Sequence, residues 1–357
     1  MVKENKISCR LEDGTIVQAQ APVIVSASRS TDIPAFYADW FFDRLRAGYS
    51  LWKNPFNGKY LYISYENTRF IVFWSKNPRP LCQHLDELRD KNIACYVQFT
   101  LNDYVDEGYE PNVPSLEERL DTFHLLVEKL GKGGVIWRND PLLLTEQVGV
   151  EELLRKTERI GNALSGRTEK LIFSYADITP AVSTNLKRAK IPLREWRESD
   201  MLLYAEALSR LNEKWGYELA TCAETIDLSK YGIAHNHCVD EKLIVRRGWK
   251  DELLMKHLGV TISSDANLLC PKHRPAEAVD LGNGRYARIA PCKHDTGQRQ
   301  NCGCIKSKDI GEYSTCRHFC VYCYANSKES AVLANCQAHG ETPNAASITG
   351  KIGKMYK

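Results

Sequence analysis

Apolar residues along this chain fall into short runs that stop abruptly in polar clusters and are followed by stretches with helical spacing. The runs are "APVIVSAS", "TRFIVFWS", "ACYVQFTL", "GGVIWRND", "KLIFSYAD" and "YELATCAE". None alternates strictly between apolar and polar positions, which predicts strands covered on both faces, as in a parallel sheet wrapped by helices. The segments between them fit that layout. In "PSLEERLDTFHLLVEKLG", Ser115 and Glu118 have capping-box spacing, Leu116, Leu120, Phe123, Val127 and Leu130 form a helical stripe, and Gly131 supplies the stop. "GVEELLRKTERIGNALSG" and "SDMLLYAEALSRLNEKWG" repeat the pattern. Residues 51–68, "LWKNPFNGKYLYISYENT", break it and read as a β-hairpin.

This order predicts an α/β fold: a partial TIM-type (β/α)6 barrel over residues 1–268, with an N-terminal extension and the hairpin inserted at 51–68. Near Leu268 the rhythm stops and a cysteine-, glycine- and lysine-rich region, 269–357, begins, ending in the polar tail "CQAHGETPNAASITGKIGKMYK".

Each expected strand ends in groups able to hold a ligand. Ser28, Arg29, Ser30 and Asp32 follow the first, Lys76 and Asn77 the second, and Thr100, Asn102 and Asp103 the third. Arg138, Asn139 and Asp140 follow the fourth, Asp177 the fifth, and Cys222 and Glu224 the sixth. In parallel α/β architectures the carboxyl ends of the strands share one face, where active sites are built. Arg29, Asp32, Arg138, Asp140 and Glu224 are the candidate catalytic residues, and Lys76 and Asn77 are candidates for binding a cofactor. Loops are polar in any protein, so caps and turns account for some of these side chains.

Composition narrows the class. A hydrophobic fraction of 43% and a charged fraction of 26% are those of a folded globular chain. No apolar run reaches the roughly eighteen residues of a membrane span, and "MVKENKISCRLEDG" lacks the apolar core of a signal peptide. A cytoplasmic protein with no membrane partner is expected. In such a compartment thirteen cysteines suggest metal or redox chemistry rather than disulfides. Cys9, Cys82 and Cys95 are scattered and read as buried hydrophobes; Cys270, Cys292 and Cys336 lack close partners and read as structural. Between Cys270 and Asn326 nine Lys/Arg stand against five Asp/Glu, a basic excess suited to an anionic ligand or to solvated surface.

Cys316, Cys320 and Cys323 have the spacing C-x3-C-x2-C. Three thiolates on a compact loop can bind three irons of a [4Fe–4S] cluster and leave the fourth without a protein ligand, whereas a structural zinc takes a closed set of four. Cys222, Cys238, Cys302 and Cys304 are candidates for a second site: four thiolates for another cluster, or zinc held by His235, His237, Cys238 and one of the C-x-C pair. A buried strand cysteine and an ordinary turn would explain them without metal. Tyr322, Tyr324 and Asn326 adjoin the last cysteine and are candidates for covering a cofactor or simply excluding water.

"CRHFCVYCYAN" resembles the signature of radical S-adenosylmethionine enzymes, in the version seen in spore photoproduct lyase-like members. The resemblance implies a [4Fe–4S] cluster on Cys316, Cys320 and Cys323, S-adenosyl-L-methionine on its open iron, and a 5′-deoxyadenosyl radical as the product of reductive cleavage. It also implies a six-stranded partial barrel and an electron donor such as flavodoxin or ferredoxin. In that superfamily the motif follows the first strand; here it follows all six. Over most of the chain, "SASRSTDIPAFY", "FWSKNP", "WRNDP", "TCAE", "CVD" and "CGCIKSKDIGEYSTCRHFCVYCYAN" resemble the family described as domain of unknown function 1848, which implies no reaction.

The leading expectation is therefore a radical S-adenosylmethionine enzyme acting on a small-molecule or nucleic-acid-derived substrate. A zinc- or iron–sulfur-stabilised nucleic-acid-binding protein is the alternative of a different class, and an iron–sulfur enzyme transferring the aminocarboxypropyl group is a third.

Overall fold

The structure, a computed structural model, describes residues 6–265, 278–291, 295, 297–299 and 302–356. Two strands, β1 (Lys6–Arg10) and β2 (Ile16–Gln20), pair antiparallel ahead of β3 (Ile24–Ala27). The hairpin β4 (Tyr49–Lys53) and β5 (Tyr60–Ser64) comes next, where the sequence predicts it. After it lie β6 (Phe70–Ser75), β7 (Ala94–Thr100), β8 (Val135–Leu142), β9 (Lys170–Tyr175), β10 (Glu218–Thr221) and β11 (Ile233–His235). A three-stranded sheet of β12 (Val260–Ser263), β13 (Val279–Gly282) and β14 (Arg285–Ile289) precedes the two-residue β15 (Lys308–Asp309).

The central sheet has eight parallel strands in the order β11-β10-β9-β8-β7-β6-β3-β15. All six expected strands are in it, with β11 and β15 added at its two edges, and it is not closed by strand pairing. The hairpin joins β1 and β2 in a separate four-stranded sheet, through a parallel contact of Gln20 with Ile63.

Burial explains the continuous apolar runs. Val25, Ile71, Val97, Trp137 and Leu171 point into one core, beneath helices that include Ala38–Ala47, Leu116–Leu130, Val150–Ala163 and Glu198–Asn212. Their neighbours Ile24, Phe70, Val72, Tyr96, Ile136 and Ile172 point into a second core, filled by the helices Glu241–Gly248 and Glu252–Leu258. Each such side chain contributes about 1.5–3 kcal/mol when fully buried, so both faces of every central strand are strongly specified. The predicted capping box is formed: the Ser115 hydroxyl accepts from the Glu118 backbone N–H, and the Glu118 carboxylate accepts from that of Ser115.

The domain boundary expected at 268/269 lies outside the described residues, as do Cys270 and Cys292. The described residues beyond it pack back into the earlier part: Ile310, Cys320, Tyr322 and Ile348 belong to the first core, and Val279, Ala287, Cys304 and Ile305 to the second. The polar tail is docked rather than free. It starts within the helix Glu329–Glu341, and Tyr60 on the hairpin donates its backbone N–H to the Lys354 carbonyl at 2.8 Å. Cys9, Cys82 and Cys95 are buried, as small hydrophobes are.

Candidate functional site

The segment 308–326 is bound to the carboxyl ends of the first strands by polar contacts. Lys308 and Asp309 pair in parallel with Val25 and Ser26. The Asp309 carboxylate accepts from the hydroxyls of Ser26, Ser28 and Ser30 at 3.3, 2.8 and 3.2 Å and from the Arg29 and Gly311 backbone N–H at 2.7 and 3.0 Å. Gly311 rests directly on this turn, where a β-carbon would meet Ser28 Oγ at 1.9 Å. A carboxylate with so many donors is a tie between segments, and the run "KDIG" gives little sign of it.

Seven residues after β15 the cysteine loop begins. Phe319 takes a left-handed φ of 52°, a turn that folds the C-x3-C segment back on itself. Burial pushes all three thiols up, and Cys320 lies in the field of Lys76, Glu110, Cys316 and Cys323 together. Asn326 donates its side-chain amide to the Cys316 carbonyl at 2.8 Å, and Asn185 does the same to Cys323 at 3.2 Å.

Asp32, a candidate catalytic residue, holds this loop in place. Its carboxylate accepts from Ala35 N–H at 3.0 Å, from the Ser75 hydroxyl at 2.6 Å and from Lys76 N–H at 2.8 Å, and lies 2.9 Å from His318 Nε2. Both Asp32 and His318 are buried, and the aspartate joins two strand ends to the middle of the C-x3-C segment. Asn77 serves in the same turn, donating its N–H to Ser75.

Tyr322 is anchored by its hydroxyl, which donates to Glu110 and accepts from Lys76 Nζ at 3.0 Å and Asn102 at 3.2 Å. Lys76 is 2.7 Å from Glu110, and Arg119 is 3.7 Å from it. Burial opposes the Lys76 charge, but Glu110 and Cys320 hold its pKa above the ordinary value. The residue is thus a buried cation in the field of Cys320. Tyr324 points outward, 58% exposed, with its hydroxyl donating to the Arg29 carbonyl at 2.7 Å. Beside it opens a cleft of about 690 Å³ lined by Phe56, Asn185, Arg188, Tyr313, Tyr324 and Asn326, between the hairpin, the helix Pro180–Arg188 and the loop.

The second group of cysteines lies on the other face of the sheet. Cys222 and Cys238 have sulfurs 3.3 Å apart; Cys238 is hydrogen-bonded through its thiol to Cys304, and Cys304 to Cys302. Arg138 donates to Cys238 Sγ at 3.0 Å and pairs with Asp140. Burial disfavours the Arg138 charge, yet Cys238, Asp140 and Cys222 around it hold its pKa above the usual value. The guanidiniums of Arg29 and Arg138 lie 5.3 and 5.2 Å from the ring of Trp74. Cys302, hydrogen-bonded by Cys304, has its thiol pulled down to about 7.

His235 is exposed, whereas His237 has Nδ1 3.0 Å from Glu241 and its ring against Gly303, between Cys302 and Cys304. Among the described residues no group of three or more His, Cys, Asp or Glu side chains is placed to hold a metal ion as it stands.

Glu224 stands apart from Arg138 and Asp140. It accepts from Tyr175 N–H at 3.0 Å and faces a pocket of about 260 Å³ with Tyr175, Asp177, Arg194 and Trp196, where burial raises its carboxyl to about 7. Trp74 and Glu110 contribute to these sites without having stood out in the sequence: Trp74 is one apolar residue in a strand, and Glu110 sits in a loop among other acids.

An eight-stranded parallel α/β protein with cysteines gathered around its sheet is the class that fold and site define. The chain belongs to the family described as Domain of unknown function (DUF1848), whose model matches residues 24–325. No curated protein matches it. A solved structure of a protein provisionally assigned as an alpha-L-fucosidase from Bacteroides thetaiotaomicron is similar over 60% of this chain and 87% of its own, with 9% identity and a TM-score of 0.26, too low to carry over any chemistry. Among the described residues no helix is long and apolar enough to cross a membrane.

Proposed function

We propose that the chain is a radical S-adenosylmethionine enzyme built on a partial barrel, with Cys316, Cys320 and Cys323 as ligands of a [4Fe–4S] cluster. The observation that carries this reading is the place of β15. Although late in sequence, it lies parallel beside β3 at the edge of the central sheet. The loop that follows it therefore leaves from the carboxyl edge, as a loop after a spatially first strand would.

The residues around the loop fit the group. Three thiols share one buried field, Lys76 supplies compensating positive charge, and Tyr322 with Glu110 and Asn102 fixes the loop without using a cysteine. When bound, the cluster and S-adenosylmethionine supply a 5′-deoxyadenosyl radical on receipt of an electron from a donor such as flavodoxin or ferredoxin. The protein's own work is to bind, orient and exclude water. Asp32 and His318 hold the loop to the sheet, Lys76 offsets anionic charge, and Tyr324 and Asn326 line the cleft that receives the nucleoside portion and substrate. That substrate is a small molecule or a nucleic-acid-derived group, and Arg188 on the cleft wall suits an anionic one.

The deciding experiment is anaerobic reduction of the reconstituted protein with S-adenosylmethionine. The expected product is 5′-deoxyadenosine, absent with Cys320→Ala. Methylthioadenosine would indicate aminocarboxypropyl transfer instead, and stoichiometric zinc without cleavage would overturn both.

A further inference from the structure

Cys222 and Cys238 follow β10 and β11 at one edge of the eight-stranded sheet, whereas Cys302 and Cys304 precede β15 at the other. Five strands separate β10 from β15, yet the segments that carry Cys238 and Cys304 meet. Ile305 donates its N–H to the Val239 carbonyl at 3.1 Å, and Val239 donates to Cys304 Sγ at 3.3 Å. The sheet therefore curves until its ends face each other, and the four thiols lie along the gap. The Cys238 carbonyl is fixed over the middle of this face by the Tyr96 hydroxyl at 2.6 Å and the Gln98 amide at 2.8 Å.

Two cations serve this group. Arg138 donates to Cys238, and Arg299 Nη2 is 3.8 Å from Cys222. A third, Arg29, lies in the field of Cys304, Cys238 and Cys302, and its Nη2 is buried with no hydrogen-bond acceptor among the described residues. A buried guanidinium donor without an acceptor is costly, because it gives up its hydrogen bonds to water and gains none in return. Arg138 is paired with Asp140 and Arg299 with Asp177, so the donor left unanswered is that of Arg29; four thiolates around a cluster carry negative charge, and the inorganic sulfides between them accept N–H bonds.

We infer that Cys222, Cys238, Cys302 and Cys304 bind a second [4Fe–4S] cluster, with Arg29 and Arg138 as its charge-compensating neighbours. Binding releases four thiol protons and forms four Fe–S bonds, with no redox change. Every iron corner is then ligated by the protein, so this centre has no open position for a substrate. Its ligands are distinct from those of the proposed radical centre, and it stands without that reading.

The test is iron and acid-labile sulfide analysis, with absorption and EPR spectra, of the full chain reconstituted anaerobically. Wild type should hold about eight iron and eight sulfide, and the Cys316→Ala/Cys320→Ala/Cys323→Ala variant about four of each. In Cys302→Ser/Cys304→Ser the wild-type iron content should fall by half. A triple variant with zinc in place of iron, or without metal, overturns the inference, as does a Cys302→Ser/Cys304→Ser variant with undiminished iron. Wild type and triple variant both holding about four iron would support this site while removing the one on Cys316, Cys320 and Cys323.

Discussion

The carboxylate of Asp32 lies 2.9 Å from Nε2 of His318, joining the turn after β3 to the centre of the C-x3-C segment. The pair is buried, and on the aspartate side it is supported by Ser75 and Lys76. Asp32→Ala leaves those donors without an acceptor and should lower stability by about 1–3 kcal/mol in urea unfolding. His318→Ala should cost less and instead speed backbone hydrogen exchange over residues 316–323. Exchange unchanged from wild type would show that the pair does not hold the loop.

Lys76 is the cation of a buried group with Glu110 and Tyr322. Lys76→Met leaves Glu110 charged with Arg119 as its remaining cation, and the loss should approach the roughly 3–5 kcal/mol typical of breaking a buried pair from one side. Adding Glu110→Gln should restore much of it. A double variant no more stable than Lys76→Met would assign the cost to packing.

Glu312 provides a pH readout through a carboxylate that accepts from Thr349. Burial raises its carboxyl above the ordinary 4.5, against the opposing pull of Lys53 and Thr349. The folded chain then keeps a proton that the unfolded chain releases, so stability falls as pH climbs from 4.5 through the folded-state value and levels off above it. Glu312→Gln removes that loss. Its melting temperature relative to wild type should rise across the window and then stay constant; a difference independent of pH would sink the assignment.

Gly303, between Cys302 and Cys304, lies against the ring of His237, whose Cδ2 would stand 2.1 Å from an added β-carbon. Gly303→Ala must displace the ring or the C-x-C backbone, at about 1–3 kcal/mol for overpacking. The variant should lose iron from the four-cysteine group while Cys316, Cys320 and Cys323 keep theirs, as metal analysis would reveal.

The six central strands were legible because both their faces are buried, which leaves long apolar runs such as "RFIVFWS". β15 was not legible: Lys308 and Asp309 are polar, and only the turn around Ser28 and Arg29 makes them a strand. The helices Glu241–Gly248 and Glu252–Leu258, which fill the second core, went unread because no apolar strand follows them to continue the rhythm. At the site, residue type and spacing found the cysteines, but function could not be separated from support. Asp32 and Asn77 look like ligand-binding residues in sequence and serve as ties in the fold, while Asp309, outwardly a partner for nearby lysines, gathers three serines. Such differences depend on which donors converge on a carboxylate, and that is settled by contacts between distant segments.

The position of β15 also sets an order of events during synthesis. The seven other strands of the sheet leave the ribosome first, and the segment carrying Cys302 through Cys323 arrives only once their carboxyl ends are available to receive it. A nascent chain therefore cannot complete either group of cysteines before its scaffold exists, so any metal that either group takes up has to enter late, on an otherwise assembled sheet.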